Sequence, residues 1–161
     1  MIKSFFISAA AVAAIASPAV ATVMTPSEYV MTAGASDLFE QTSSKLVLQT
    51  TQDPKVRAFA SEMIADHGKS TAMVKAAAMK AKLKASPPRP TPLQSEKVAE
   101  LQSASGPDRD ALYLAQQKAA HGQALAVQKA YAMEGTSAPL KSVAGGIVPV
   151  VEHHIAMLKT M

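Results

Sequence analysis

Histidines and carboxylates are the residues of this chain whose types and spacing allow chemistry. His67 lies in the middle of an apolar stripe that recurs every three or four residues from Val56 to Ala81, the pattern of a long amphipathic helix. An imidazole on such a face needs a polar partner, because an unpaired polar group is costly to bury. The neighbouring carboxylate of Asp66 is one candidate. The position of His67 therefore predicts a buried polar site.

The histidines of two further predicted helices lie on comparable faces. His121 and His154 belong to largely apolar seams, whereas His153 lies beside the last seam. Glu40 lies about thirteen residues before the first interhelical turn and His67 about fourteen after it, which is a height difference of a few ångströms. His121 and His154 flank the second turn at about fifteen and eighteen residues. We therefore expect four side chains to meet at mid-bundle: Glu40, His67, His121 and His154.

Imidazole and carboxylate ligands suit transition metals such as Zn, Fe, Mn, Ni and Cu(II), and helical bundles build metal sites in their cores. The four mid-bundle residues are therefore predicted to be the ligands of a single metal ion. Asp66 is predicted to accept a hydrogen bond from the outer nitrogen of a ligand ring, and the alternative is that it lies in solvent. The alternative is a metal-free cluster, in which buried histidines bond to Glu40 and to the backbone and fix the helix register.

Two methionines add a softer variant of the same site. Met63 precedes His67 by four residues, and Met157 follows His153 by four, so each pair shares a helix face. A thioether beside an imidazole favours copper, in particular Cu(I). The alternative is that both methionines fill the bundle core, which is a common use of this side chain.

Other chemistry is not indicated by the sequence. The chain contains no P-loop and no Rossmann glycine pattern, and Ser103, Ser105 and Ser142 have no neighbouring base at motif spacing. Because the chain has no cysteine, thiolate metal ligands and disulfides are excluded. The sequence thus favours binding over catalysis and specifies no substrate or reaction.

The elements that must position these residues are long helices. The segment Thr25–Glu28 carries a capping box with proline at the first helical position and predicts a helix from Pro26 to about Thr51. The sequence leaves two phases of this helix possible, that is, two choices of the side that faces the bundle. One seam places Asp37 and Glu40 inside, whereas the other buries the neighbouring apolar side chains and leaves Glu40 at the edge.

The rest of the chain predicts a second antiparallel helix, a long crossover and two more helices. Asp53-Pro54 starts the second helix. The proline-rich segment 85–92 is expected to be extended, and Leu93–Ala104 is expected to be a short helix. Together they span roughly 40 Å, about one bundle length. Two more long helices follow, at about Asp108–Met133 and from Ser137 to near Met161. The prediction is an all-α four-helix bundle with a long crossover that carries a short extra helix.

The first 21 residues have the features of a secretory signal peptide. Lys3 supplies a positive charge, Phe5–Ile15 is apolar, and Ala19-Val20-Ala21 is a small-residue cleavage site. We predict cleavage after Ala21, which leaves residues 22–161 as a single domain in the periplasm. No other stretch is long and apolar enough to predict a transmembrane span.

The chain has a formal net charge of +4, and much of the excess follows the middle of the second helix. These cations suit the negative end of a helix dipole, and the alternative is peripheral contact with an anionic surface of the cell envelope. Nucleic acid is not an expected partner of an exported chain that has few aromatic residues. The basic residues are Lys69, Lys75, Lys80, Lys82, Lys84 and Arg89.

Four stretches of the chain resemble the exported bacterial proteins of domain-of-unknown-function family 4142, which are often labelled outer membrane proteins. They are ASDLFEQTSSKLVLQT, KVRAFASEMIADH, DRDALYLAQQKAAH and PVVEHH. The resemblance covers nearly all of residues 22–161 and implies a ferritin-like bundle without an established biochemical role. It also implies that five residues are the characteristic polar positions: Glu40, Asp66, His67, His121 and His154.

The resemblance does not extend to a di-iron centre. Di-iron members of the ferritin-like superfamily carry Glu-x-x-His on two helices, and this chain has no such motif. A single ion is therefore the metal hypothesis that the sequence favours. The leading hypothesis is a periplasmic bundle that binds one transition metal, in an envelope or stress-related role. The competing hypothesis is a metal-free envelope interaction protein.

Overall fold

The computed structural model describes residues 23–84 and 86–161. The predicted signal peptide, residues 1–21, lies outside the described residues. Within the described part, the chain forms five α-helices and no β-strand, which confirms the predicted all-α class. The helices are α1 (Pro26–Val47), α2 (Pro54–Lys80), α3 (Pro92–Ser103), α4 (Gly106–Glu134) and α5 (Ala138–Leu158).

Local sequence signals define the starts of the first three helices. The Thr25 side chain accepts a hydrogen bond from the backbone N–H of Glu28, and the Glu28 carboxylate accepts one from the backbone of Thr25. Asp53 caps α2, and Thr91 forms a second capping box at α3. Ser137, in contrast, makes no capping hydrogen bond at α5. These caps satisfy N–H groups that have no partner inside the helix.

Two apolar clusters lie one above the other inside the bundle and show the direction of each helix. The first cluster contains Tyr29, Ala33, Val74, Ala77, Tyr131, Leu140, Ala144, Ile147 and Val151. The second cluster contains Val47, Val56, Phe59, Ala60, Met63, Leu101, Tyr113 and Leu158. The first cluster therefore collects the starts of α1 and α5 and the ends of α2 and α4, so α1 and α5 run antiparallel to α2 and α4.

The connection between α2 and α4 is the predicted long crossover. Because α2 ends beside the first cluster and α4 begins beside the second, the chain between them must return along the bundle. The proline-rich segment and α3 make this return, and α3 packs against α1 and α4. Arg109 holds the end of the crossover in place: its guanidinium donates hydrogen bonds to the carbonyls of Ala104 and Leu46, at 2.7 and 3.0 Å.

The structure decides between the two phases that the sequence left open for α1. Asp37 and Glu40 are buried, together with Ala33 on the same seam. Phe39 of the alternative phase is buried as well, whereas Leu38 is only half-buried. The buried face of α1 is broad because this helix packs against α2 on one side and against α3 and α4 on the other. One consequence is that two carboxylates enter the bundle.

No helix in the described residues is long and apolar enough to cross a membrane. The basic residues near the end of α2 are exposed, as a solvated helix end and a surface contact would both require. They include Lys75, Lys80, Lys82, Lys84 and Arg89.

Candidate metal centre

A polar layer lies between the two apolar clusters. It is built from the middle of α1, α2 and α4 and from α5 one turn before its last buried leucine. At this level the inward-facing seams of these helices carry polar residues, and the side chains of these residues therefore point into the bundle instead of into solvent. The buried members are Asp37, Glu40, His67, Gln117, His121 and His154.

Three of these histidines converge. His67, His121 and His154 each offer one ring nitrogen, and these nitrogens lie within 4.8 Å of one another. The ring centroids are 5.6 Å apart for His67 and His121, 5.7 Å for His67 and His154, and 5.3 Å for His121 and His154. The three rings thus form a nearly equilateral triangle. The three residues are 6%, 1% and 1% exposed, respectively, so the triangle is closed to bulk solvent.

An acceptor holds the outer nitrogen of each ring. Nδ1 of His67 lies 2.9 Å from Oδ1 of Asp37, whose other oxygen accepts a hydrogen bond from Thr71 at 3.0 Å. Nδ1 of His121 lies 3.0 Å from the carbonyl oxygen of Gln117. Nε2 of His154 lies 3.3 Å from Oδ2 of Asp66. Carboxylates and carbonyls in these positions fix the tautomer and orientation of metal-ligating histidines.

These acceptors leave an excess of lone pairs inside the triangle. A carbonyl only accepts, so His121 donates from Nδ1 and its Nε2 carries a lone pair. That Nε2 lies 3.3 Å from Nδ1 of His154. A neutral His154 has one N–H, and it can serve either Asp66 or His121 but not both. Nε2 of His67 is buried and has no hydrogen-bond partner among the described residues. A cation at the centre of the triangle would satisfy all three rings.

One of the three nitrogen–nitrogen separations agrees with a metal ion in this place, and the other two are within 4.8 Å. With Zn–N bonds of about 2.0–2.1 Å and tetrahedral angles, two ligand nitrogens are about 3.3 Å apart. Nε2 of His121 and Nδ1 of His154 have this separation, 3.3 Å. Three neutral imidazoles suit Zn, Cu, Fe and Ni, and they leave at least one coordination position for water or another ligand.

Two of the three rings are neutral because burial lowers their pKa values, and the groups around them carry negative charge. Burial, followed by the charges of His67 and His154, lowers the pKa of His121 to about 3. Burial likewise lowers the pKa of His154, against the hydrogen bond with Asp66. Burial also acts to lower the pKa of His67, but the hydrogen bond with Asp37 and the charge of Glu40 together raise it. The cluster therefore favours one positive charge, which a metal ion can supply in place of a proton.

Glu40 lies beside the triangle, and its role as a metal ligand stays a prediction. Its Oε1 is 3.9 Å from Nδ1 of His121, the nitrogen that faces away from the other rings. This contact is not an ion pair, because His121 is neutral at physiological pH. Burial raises the pKa of the Glu40 carboxyl to about 7, although the charge of His67 lowers it. Its second oxygen has no hydrogen-bond partner among the described residues.

A Glu40→Gln substitution is expected to change the pH dependence of stability in metal-free protein. The pKa of Glu40 is 4.5 in the unfolded reference and about 7 in the folded chain, so folding takes up a proton between these values. The free energy of unfolding therefore falls as the pH rises through this window and stays lower above it. Glutamine has no such dependence. We therefore expect the difference in free energy of unfolding, variant minus wild type, to be about 3 kcal/mol more favourable to the variant at pH 8 than at pH 4.

Urea unfolding in the presence of a chelator measures this difference. His121 titrates in the opposite sense over an overlapping range, so the comparison must be the variant against wild type at each pH and not the wild-type curve alone. An equal gain at both pH values would mean that the Glu40 carboxyl is not held protonated by burial.

The other predicted residues have distinct surroundings. Asp66 contacts His154, and the hydrogen bond from Lys69 keeps the pKa of Asp66 below its ordinary value, so it is ionised. Met63 is fully buried in the second apolar cluster, and Met157 packs against that cluster. The soft-ligand variant therefore stays a prediction, while both side chains contribute to core packing.

Sequence reasoning missed two partners of the rings. Asp37 holds His67, and the backbone carbonyl of Gln117 holds His121. Asp37 precedes Glu40 by three residues on the same seam of α1, and this spacing was the sequence signal that could have identified Asp37 as a buried partner. The role of Gln117 carried no signal in its side chain, because it is the backbone carbonyl four residues before the histidine that accepts the bond.

The sequence model for the domain of unknown function DUF4142 matches residues 9–161. The chain is a member of the DUF4142 family. This confirms the resemblance drawn from the four sequence stretches. The match includes all five helices, so the histidine triangle lies within the DUF4142 domain. No curated protein matches the chain.

A solved structure supports the fold of this DUF4142 chain. The crystal structure of a DUF305 protein from Streptomyces coelicolor, whose name describes it as a presumed secreted protein, superimposes with a TM-score of 0.65. The two sequences are 18% identical, and the match covers 85% of this chain and 90% of the other. At this level of identity the likeness establishes a shared helical fold.

Proposed function

We propose that this protein binds one transition-metal ion between His67, His121 and His154, and that it does so outside the cytoplasm as an exported, periplasmic protein of the cell envelope. In this role it would hold or buffer the metal, in steady state or under envelope stress. Zn, Fe and Cu are the candidate ions, because imidazole ligands suit all three. The proposal assigns binding to the site and no reaction.

The observation that carries the proposal is the combination of three converging ring nitrogens with three occupied outer nitrogens. Asp37, the carbonyl of Gln117 and Asp66 hold the backs of the rings. These acceptors leave His154 with one N–H for two partners, and they leave Nε2 of His67 with no hydrogen-bond partner among the described residues. Buried polar groups ordinarily find partners, so the arrangement favours a cation over a purely structural cluster. The arrangement matches the ligand orientation that metal sites require.

Metal analysis of protein purified from its native compartment tests the proposal. We expect one equivalent of transition metal per chain, and we expect metal-stripped protein to take up one equivalent of Zn²⁺ with release of protons, since bound imidazoles must be neutral. If purified protein lacks metal and neither Zn²⁺, Cu²⁺ nor Fe²⁺ binds, the proposal fails. The competing function, a metal-free interaction protein whose polar layer fixes helix register, would then explain the site.

Export is supported by the charged, apolar and small-residue pattern of residues 1–21. The secreted description of the DUF305 neighbour is in line with it. Amino-terminal sequencing of protein from the periplasmic fraction should begin at Thr22. A full-length chain in the cytoplasmic fraction would contradict the proposed location.

Asp37 is expected to tune metal affinity without touching the metal. An Asp37→Asn variant retains size and can still contact the ring, but it removes the negative charge behind His67. Changes of this kind typically cost 10–100-fold in affinity. Competition with a chromophoric chelator should therefore give about 10–100-fold weaker Zn²⁺ binding. Glu96→Gln, which removes an exposed carboxylate of α3, is the control and should leave the affinity unchanged.

A further inference from the structure

A second group of ligand-type side chains lies directly outside the histidine triangle. Glu62, Asp66 and His154 offer ligand atoms within 4.8 Å of one another. Nε2 of His153 lies 3.3 Å from Oε1 of Glu62. We call Glu62, Asp66 and His153 the outer group. The buried site does not need Glu62 or His153, so their placement beside it requires a separate explanation.

The ring of His154 lies between the histidine triangle and the outer group. Its Nδ1 faces His121 inside the triangle at 3.3 Å, and its Nε2 faces Asp66 of the outer group at 3.3 Å. An ion held by the outer group is therefore separated from the buried site by the width of one imidazole. No other side chain needs to lie between the two positions.

Exposure falls stepwise along this route. The side chain of His153 is 62% exposed and that of Glu62 is 34% exposed. Asp66 is 22% exposed and His154 is 1% exposed. The ligands also differ in character, because the outer group combines two carboxylates with one imidazole, whereas the buried triangle offers imidazoles alone. Carboxylate oxygens accept a hydrated divalent ion readily, whereas imidazoles retain transition metals and discriminate against Mg²⁺ and Ca²⁺.

We propose that Glu62, Asp66 and His153 form the loading site through which a divalent transition-metal ion is captured at the surface and passed to the buried histidines along the ring of His154. This inference rests on the proposed function. It adds a second cation site to the molecule and explains how an ion enters a closed triangle. The two carboxylates also create local negative charge on a chain whose net charge is positive, and such charge speeds the capture of cations.

Lys69 provides a test in which the rate of metal loading is expected to rise instead of fall. Its Nζ lies 2.8 Å from Oδ1 of Asp66, and its side chain is 73% exposed. An exposed ion pair of this kind contributes little to stability, so removing it should not disturb the fold. The ammonium group competes with an incoming metal ion for Asp66. Loss of Lys69 is therefore expected to accelerate loading, whereas loss of the outer ligands is expected to slow it.

Stopped-flow mixing of metal-stripped protein with Co²⁺ measures loading, because Co²⁺ bound by three imidazoles gives visible absorption that Zn²⁺ lacks. We expect Glu62→Gln and His153→Gln to load about tenfold more slowly than wild type and Lys69→Met to load several-fold faster. Release to a chelator should change in proportion, so the equilibrium affinity remains within about twofold. Glu152→Gln is the control and should load at the wild-type rate, because it removes an exposed carboxylate of α5 that pairs with Lys129 of α4 and does not belong to the outer group.

The outcomes separate this inference from the proposed function. If Glu62→Gln and His153→Gln bind Co²⁺ at the wild-type rate, the loading role is wrong and the buried site stands. If these variants lose equilibrium affinity with unchanged association rates, the outer group belongs to the final site and the loading role is also wrong. If wild-type protein does not bind Co²⁺ at all, the proposed function fails and this inference fails with it.

Discussion

A His121→Leu variant is expected to lose metal binding almost completely while the bundle remains folded. His121 contributes one of three converging nitrogens and is 1% exposed. Structural metal sites bind with about 10–16 kcal/mol in total, so one ligand in three is worth roughly 3–5 kcal/mol. We therefore expect Zn²⁺ affinity to fall by about 10²–10⁴-fold. Titration calorimetry, or competition with a chelator, measures this loss.

The fold should tolerate the change because leucine fills similar space and needs no hydrogen-bond partner. The change leaves Nδ1 of His154 without its contact to His121, which costs about 1–3 kcal/mol, less than the roughly 5–15 kcal/mol that typically stabilises a folded domain. Circular dichroism should therefore show unchanged helix content. His153→Leu is the matched control: it makes the same substitution at an exposed histidine of α5 outside the triangle and should retain the equilibrium affinity. Equal losses in both variants would argue against a specific site at His121.

The second large effect is on thermal stability. A ligand that binds only the folded state at about 1,000 times its dissociation constant stabilises that state by about 4 kcal/mol. For a domain of this size each kcal/mol shifts the melting temperature by about 2–4 °C. We therefore expect saturating Zn²⁺ to raise the Tm of metal-stripped protein by about 10 °C. A chelator should reverse the rise.

Two controls make this shift specific. Mg²⁺ at the same concentration should have no effect, because it prefers oxygen ligands and the triangle offers only nitrogen. The His121→Leu variant should show no shift with Zn²⁺ either. A similar rise in wild type and in His121→Leu would place the stabilising ion elsewhere on the molecule.

The helical pattern was predictable because it depends on local chemistry. Caps at Thr25 and Asp53 and the prolines that follow them define where α1 and α2 begin. Periodicity placed His67, His121 and His154 on inward seams, and counting residues from the turns placed them at one height. These properties follow from the geometry of a single helix and its neighbouring turn. The all-α bundle and its long crossover therefore followed from the sequence.

The phase of α1 was not predictable because both of its candidate faces contain apolar and polar residues. Only packing against α2, α3 and α4 decides that Asp37 and Glu40 both point inward. The same packing brings Asp37 to His67, whereas Glu40 lies behind His121 and not among the three converging nitrogens. Periodicity tells which side of a helix is buried, but it does not tell which residue of another helix lies opposite.

The sequence by itself determined that several imidazoles would be buried at the same depth of a helical bundle. Only the tertiary structure decided which nitrogen of each ring faces the centre. For two of the rings that choice depends on partners far away in the chain: Asp37 lies 30 residues from His67, and Asp66 lies 88 residues from His154. The partner of His121, in contrast, is a backbone carbonyl of its own helix. A hydrogen bond at the back of a ring sets its tautomer, and the two bonds between helices exist only after the helices have packed.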